Sequence, residues 1–336
     1  VHQPEVRSLL LFLLSLLLVA SLALPGARVF AGAAFLVEFL TDGRLPVLSA
    51  VTARPRRQPL AAAGAAVDRY QAPALRTTVP AVLVHGFAPE GKDDPRAREA
   101  AGLLARAGFD VVVPSLTGLM QGRLRPDDVR SVVETAAALV RDRRRPVTLI
   151  GVSVGAGPAL LAAAEPRLRD SVAAVVSLGG YASATELLRY FLTGVYAWGD
   201  VRGHVAHDPE VVRAFVAANA DLFDADTRAA LLALDRARVA GLLAAPPPRL
   251  RELLERLSPE RVATDISARL VLIHGRGDRA VPYTEALRLA AARPARTRVV
   301  LVGLFDHVGG VGGRVTLTDA ADLLALWAEV YALLSP

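Results

Sequence analysis

Residues 147–155 read VTLIGVSVG, an apolar, β-branched run from Val147 to Val152 that carries straight into Gly151, Val152, Ser153, Val154 and Gly155. A run of this length and composition is the signal of a buried strand. Gly-x-Ser-x-Gly at the end of a strand predicts a sharp strand-to-helix turn that holds a serine hydroxyl exposed in a strained backbone conformation. A hydroxyl is a poor nucleophile unless it is presented in this way beside a base. The flanking positions must be small so that turn, strand and helix can approach, and Gly151 and Gly155 meet that need, with Ala156 and Gly157 beyond them. Pro158 falls just past the first turn, which predicts a helix that starts loosely or with a kink.

On either side of this stretch, β-branched runs alternate with amphipathic ones, the sequence form of a parallel sheet wrapped by helices. Strands are expected at Ala81–Val84, Phe109–Val113, Val147–Val152, Val172–Ser177, Leu270–His274 and Arg298–Val302, with one or two edge strands near Ala66–Tyr70. Asp94-Pro95, Asp208-Pro209 and Ser258-Pro259 each read as a helix N-cap followed by proline at the first helical position. From Gly180 to Asp265, about 85 residues show helical periodicity and no strand pattern. That predicts a helical cap over the carboxyl ends of the strands. It holds Tyr190, Phe191, Tyr196 and Trp198, which are candidate substrate contacts if they do not simply pack the cap's own interior. The expected organisation is an N-terminal segment at 1–44, a first part of the core at 45–180, the cap at 181–265 and a second part of the core at 266–336.

With 53% hydrophobic residues the chain has ample material for a core, and disorder is not the default. The net charge of +6 comes from 39 basic residues interleaved with 33 acidic ones, a scatter that argues against a nucleic-acid partner. No cysteine is present, which removes disulfides, thiolate metal sites and a cysteine nucleophile. No HExxH pattern occurs, His204 and His207 have no cysteine nearby, and neither metal nor cofactor is expected.

Leu9–Leu24 is apolar except for Ser15 and Ser21. At helical rise it reaches roughly 24 Å, short of the ~30 Å hydrocarbon core. A retained membrane anchor is the preferred reading. A cleaved signal, with small-x-small sites at Ser21–Ala23 and Ala31–Ala33, and a buried helix are the alternatives. Val29–Leu40 is apolar but carries Glu38, and is expected to lie in the membrane interface. Arginines on both sides of the apolar run leave the orientation unassigned.

At this point the sequence resembles the α/β-hydrolase superfamily, over Ala81–Leu334. Ala81–Phe87 reads AVLVHGF, similar to the strand and loop that supply one oxyanion-hole amide in that superfamily, and the resemblance implies the backbone N–H groups of Phe87 and Val154 as the two donors. His85 is then a loop-shaping residue. Leu270–Pro282 reads LVLIHGRGDRAVP, with Asp278 where the superfamily carries its acid, and His307, in VVLVGLFDHVGG, stands where it carries its general base. Asp306, adjacent to the base, is the less suitable acid, and His274 reads as structural. The fold implied is an α/β-hydrolase fold, a mostly parallel sheet flanked by helices with a cap between the sixth and seventh core strands. The closest likeness is to dienelactone-hydrolase-like and lysophospholipase-like esterases. A serine at 153 speaks against dehalogenases and epoxide hydrolases, and no HGGG run is present.

The resemblance implies a serine hydrolase of carboxylic esters or thioesters with an apolar, lipid-like acyl group, working without a cofactor. The alternatives are a catalytically silent binding protein at the membrane, and an acyltransferase or peptidase using the same three residues. Oligomeric state and natural substrate are not legible.

Overall fold

The computed structural model describes residues 26–62, 65–73, 78–123, 125–233, 235–303 and 317–335. Eight strands form one sheet: β1 (Arg56–Ala62), β2 (Ala65–Gln71), β3 (Val79–Val84), β4 (Phe109–Pro114), β5 (Val147–Val152), β6 (Val172–Leu178), β9 (Arg269–Gly275) and β10 (Thr297–Val302), in the order β1-β2-β4-β3-β5-β6-β9-β10. From β4 to β10 every pairing is parallel, while β1 and β2 form an antiparallel hairpin that adds to the edge through β4. The six expected core strands are all present, within two residues at either end. The edge strand expected near Ala66–Tyr70 is β2. Asp110 on β4 is buried and takes two hydrogen bonds from Arg69 of β2, at 2.8 and 2.7 Å, so a bidentate pair ties the hairpin to the sheet.

Parallel strands are buried on both faces, and here each face has its own helical layer. Helices α1 (Gly26–Leu40), α2 (Pro95–Ala107) and α11 (Leu317–Leu334) cover the face that presents Leu83, Ile150, Val176 and Ile273. Helices α3 (Asp127–Arg143), α4 (Ala156–Ala164) and α10 (Thr284–Ala292) cover the other, against Val82, Leu149, Val175 and Leu272. Asp94 caps α2 by accepting from the N–H groups of Arg96 and Ala97, and Asp208 caps α6 (Pro209–Ala218) by accepting from Glu210. Ser258 differs from the expected cap. It precedes a single 3-10 turn without capping it, and its hydroxyl instead donates to Leu254 O and accepts from Ala184 N.

The position of α1 corrects a second expectation. Val29, Ala33, Leu36, Val37 and Leu40 are fully or almost fully buried against the sheet-covering layer, so this stretch belongs to the protein core and not to a membrane interface. Its buried charge is accounted for locally: the Glu38 carboxylate accepts from the N–H groups of Leu48 and Ser49 at 2.9 and 2.8 Å, capping the turn Val47–Val51. Among the described residues no helix is long and apolar enough to cross a membrane. The Leu9–Leu24 run lies outside the described residues.

Between β6 and β9 the chain builds α5 (Ala184–Thr193), the strands β7 (Val195–Trp198) and β8 (Val201–His204), then α6, α7 (Ala225–Leu232), α8 (Arg236–Ala244) and α9 (Pro248–Arg256). The insertion is therefore helical except for one antiparallel hairpin, which the sequence reading lacked. It has its own apolar cluster, in which Leu188, Val216, Phe223 and Leu254 meet Leu161 of α4. Glu285 of α10 anchors its start by accepting from the N–H groups of Ala182 and Ser183 at 3.0 and 2.9 Å. Burial holds the Glu285 carboxyl above its usual range even against those donors. Arg288, one turn on, lies 3.3 Å from Glu285 and stacks over the Trp198 ring at 4.5 Å.

Candidate active site

Strand β5 is buried from Val147 to Gly151 and delivers Ser153 at the carboxyl edge of the sheet. Ser153 has φ of +52°, in the left-handed region, with one 3-10 turn (Ser153–Gly155) before α4. Pro158 is the third residue of α4, inside the first turn, where a missing N–H removes no helical hydrogen bond. The flanking glycines are demanded by contact. A β-carbon on Gly151 would overlap the backbone of Ala156, and one on Gly155 would overlap the carbonyl of His85.

The 85–87 loop lies directly against the serine. A β-carbon on Gly86 would sit 3.1 Å from Ser153 Cβ. His85 holds this loop: its Nδ1 is 2.8 Å from Gly86 O, and its Nε2 accepts from the N–H of Leu116 at 3.1 Å. Nε2 accepts, so Nδ1 carries the hydrogen and donates to the Gly86 carbonyl, which fixes one neutral tautomer. Burial lowers the His85 pKa in keeping with that state.

Asp278 is buried in the loop after β9, with Oδ1 accepting from the N–H groups of Ala280 and Val281 at 2.8 and 3.0 Å. Its Oδ2 is 3.2 Å from Nε2 of His274, which is also 2.9 Å from Val281 O. A carbonyl can only accept, so His274 carries its hydrogen on Nε2 and braces both the acid and its loop. From the cap side, the Tyr190 hydroxyl donates to Arg279 O at 2.7 Å. Burial first, and then the charge of Asp278, push the Tyr190 pKa up to about 12, so it stays a donor. His307 and Asp306 lie outside the described residues.

Ser153, Val154, Gly86 and Phe87 border a predominantly apolar cavity of about 1470 Å³, which Ala280 and Val281 reach from the acid loop. The cap closes over it with Leu187, Phe191, Val211 and Phe215. Of the four candidate cap aromatics, Phe191 borders the cavity. Tyr190 is fully buried beneath it, edge-on to Tyr196 at 5.9 Å, and Trp198 is covered by Arg288. The aliphatic lining from α5 and α6 was missed because nothing in a helical pattern says which apolar face meets a cavity and which meets another helix. Tyr181 was also missed as a support. Its hydroxyl donates to Leu257 O, and its ring packs where a Gly157 side chain would stand.

Residues 81–302 match the model of the alpha/beta hydrolase family, and the chain belongs to that family. No curated protein matches it in sequence. Among solved structures, the Pyrococcus horikoshii acylaminoacyl peptidase aligns with a TM-score of 0.50 at 16% identity, covering 80% of this chain and 39% of that one. A Mycobacterium tuberculosis puromycin-hydrolyzing peptidase aligns with a TM-score of 0.51 at 18% identity, covering 84% of this chain and 39% of that one. The dienelactone hydrolase of Anabaena variabilis aligns with a TM-score of 0.48 at 16% identity, over 83% of this chain and 98% of that one. At these identities the likeness is one of fold, and the chain spans 39% of the length of either peptidase.

Proposed function

We propose that this protein is a serine hydrolase that cleaves carboxylic esters or thioesters carrying an apolar acyl group. The observation that carries the reading is Ser153, held at φ +52° on a strand-to-helix turn and facing a large apolar cavity. In the proposed cycle the Ser153 hydroxyl oxygen attacks the acyl carbon while His307 takes its proton, and the N–H groups of Phe87 and Val154 receive the oxyanion. The carbon–oxygen or carbon–sulfur bond breaks as His307 returns the proton to the leaving group. Water then releases the acyl group from Ser153 by the same steps in reverse order. Asp278 orients His307 and stabilises its cationic form. The apolar 9–24 run is proposed to hold the enzyme at a membrane.

The test is fluorophosphonate labelling of the wild type and Ser153→Ala, with a p-nitrophenyl ester series beside aminoacyl p-nitroanilides. Labelling confined to the wild type, with ester turnover rising through pH 6 to 7 as an imidazole base deprotonates, is the expected result. Full labelling of Ser153→Ala removes the nucleophile assignment. Turnover of anilides with none of esters replaces the reading with a peptidase.

A further inference from the structure

The two faces of the sheet are not equally sealed. On the face covered by α3, α4 and α10, Leu149, Val175 and Leu272 are 0%, 0% and 1% exposed. Their immediate neighbours on the opposite face, Ile150, Val176 and Ile273, are 8%, 6% and 7% exposed, although helices cover them too. Protein interiors are packed to crystal density, so central-strand side chains with solvent-sized space against them mark a passage and not a loose core.

The opening follows the strand register. Val152, Leu178 and Ile273 form one row across β5, β6 and β9, at the carboxyl ends where Ser153 stands, and the first two are only half-buried. The next row down is Leu83, Ile150 and Val176. Val271, which continues that second row on β9, is sealed, and so are Ala81 and Val111 one row deeper. Space beneath the helices therefore starts beside the nucleophile and closes toward the amino ends of the strands. It is continuous with the cavity at Ser153, and it extends sideways under Leu36 and Phe39 of α1 and Leu326 and Val330 of α11. At about 1470 Å³ the whole exceeds the ~300–1,000 Å³ of ordinary small-molecule pockets. Two rows along a strand span about 7 Å, and each strand crossed adds about 5 Å. No charged side chain stands in these rows, and of the charged residues that border the same cavity, Glu38, Asp42, Arg54, Arg57, Glu99 and Arg106 come from α1, α2 and the segments between them.

We propose that this passage is the acyl site, and that it holds a medium-to-long unbranched acyl chain running from Ser153 between the sheet and the α1–α11 layer, not beneath the cap. This rests on the hydrolase reading above for the bond that is cleaved. An extended hydrocarbon suits the apolar rows of this space, whereas a peptide would leave its backbone N–H and C=O groups unpaired there. The cap then takes the leaving-group side.

The test plugs the passage from opposite walls, with Ile150→Phe and Val176→Phe on the sheet and Val330→Phe on α11. The ratio of kcat/KM for p-nitrophenyl dodecanoate to that for the butyrate should fall at least tenfold in each folded variant, while Phe191→Ala leaves the ratio near the wild-type value. Thermal unfolding midpoints establish which variants fold, and Val330→Phe decides if both sheet variants fail. A catalysis-free arm measures calorimetric binding of dodecanoate to Ser153→Ala, with and without Val330→Phe. Binding that the plug abolishes supports the passage even if wild-type protein hydrolyses no ester, an outcome that would defeat the hydrolase reading alone. Chain preference that follows Phe191 and ignores the plugs, or dodecanoate binding that is absent or plug-insensitive, overturns it.

Discussion

A β-carbon on Gly155 would occupy the space of the His85 carbonyl oxygen, so the nucleophile turn and the 85–87 loop are locked together through a position that admits no side chain. Gly155→Ala should therefore cost about 1–3 kcal/mol by overpacking. Ester turnover should fall further than stability does, because either the turn or the loop must move. Urea unfolding alongside kcat/KM reads both, and an alanine variant with wild-type turnover would refute the coupling.

Ser153 carries backbone strain that alanine retains and glycine releases. A non-glycine residue in the left-handed region costs on the order of 1–2 kcal/mol. Both substitutions should abolish fluorophosphonate labelling, but Ser153→Gly should be the more stable of the two by about 1 kcal/mol, measured as a difference in urea midpoint. Equal stabilities would mean that the turn is relaxed at φ +52°.

Asp278→Asn keeps an oxygen for the N–H groups of Ala280 and Val281 but loses the charge facing His274 Nε2. Turnover should drop by orders of magnitude with stability changed by less than about 1 kcal/mol. Asp278→Ala also leaves two N–H groups unpaired, and should be destabilised by about 1–3 kcal/mol for each that is buried. Similar stabilities for the two variants would show that the loop does not depend on the carboxylate.

His85 is neutral in the folded protein, with its pKa lowered from 6.5 by burial. A depressed histidine contributes stability that is complete above the unfolded pKa. That stability declines as pH falls from about 6.5 toward the folded value, because the unfolded chain takes up the proton first. Unfolding free energy should therefore decrease between pH 6.5 and 5, and His85→Gln should flatten that slope. It should not remove it, since burial also lowers the pKa of His207. An unaltered slope in His85→Gln would place the acid sensitivity elsewhere.

Deleting residues 1–25 should leave folding intact, whereas deleting residues 1–40 should abolish it. Val29, Leu36, Val37 and Leu40 are each worth roughly 1.5–3 kcal/mol when buried. Their sum is comparable to the roughly 5–15 kcal/mol that holds an ordinary domain together. Circular dichroism and thermal melts of the two truncations check this directly. A folded 41–336 protein would show that α1 is dispensable.

The core strands were legible because each is a short β-branched run between glycines, prolines or helical stretches, and Gly151-x-Ser153-x-Gly155 marks where the Val147–Val152 run turns into a helix. The strand β1, Arg56-Arg57-Gln58-Pro59-Leu60-Ala61-Ala62, has no such pattern, as suits an outer strand whose side chains mostly face water. The β7–β8 hairpin did carry a signal, since Gly199-Asp200 separates two four-residue strands and Gly199 has φ +56°. The surrounding aromatics, spaced as on a helix, hid it. Helix α1 is harder. Its buried stripe at 29, 33, 36, 37 and 40 has helical spacing, but it is flanked by the exposed Phe30 and the partly buried Phe35 and Phe39, so one sequence suits a protein core and a lipid surface equally. Tertiary partners decided between them. The elbow serine and the acid were readable from local pattern, while the passage behind the sheet depends on how tightly separate helices close, which no local pattern encodes.

Helix α1 packs beside α11 closely enough that a side chain on Gly32 would touch Trp327, some 295 positions later in the chain. This contact imposes an order on biosynthesis. While the ribosome is still working, the apolar stripe of α1 has α2 but not α11 as a partner, and the α1 side of the sheet stays only partly covered until residues 317–334 have emerged. Such late, long-range closure slows folding and prolongs exposure of sticky surface. A nascent chain of this protein therefore has to shelter the α11-facing part of α1 for nearly its whole synthesis, a task suited to a chaperone.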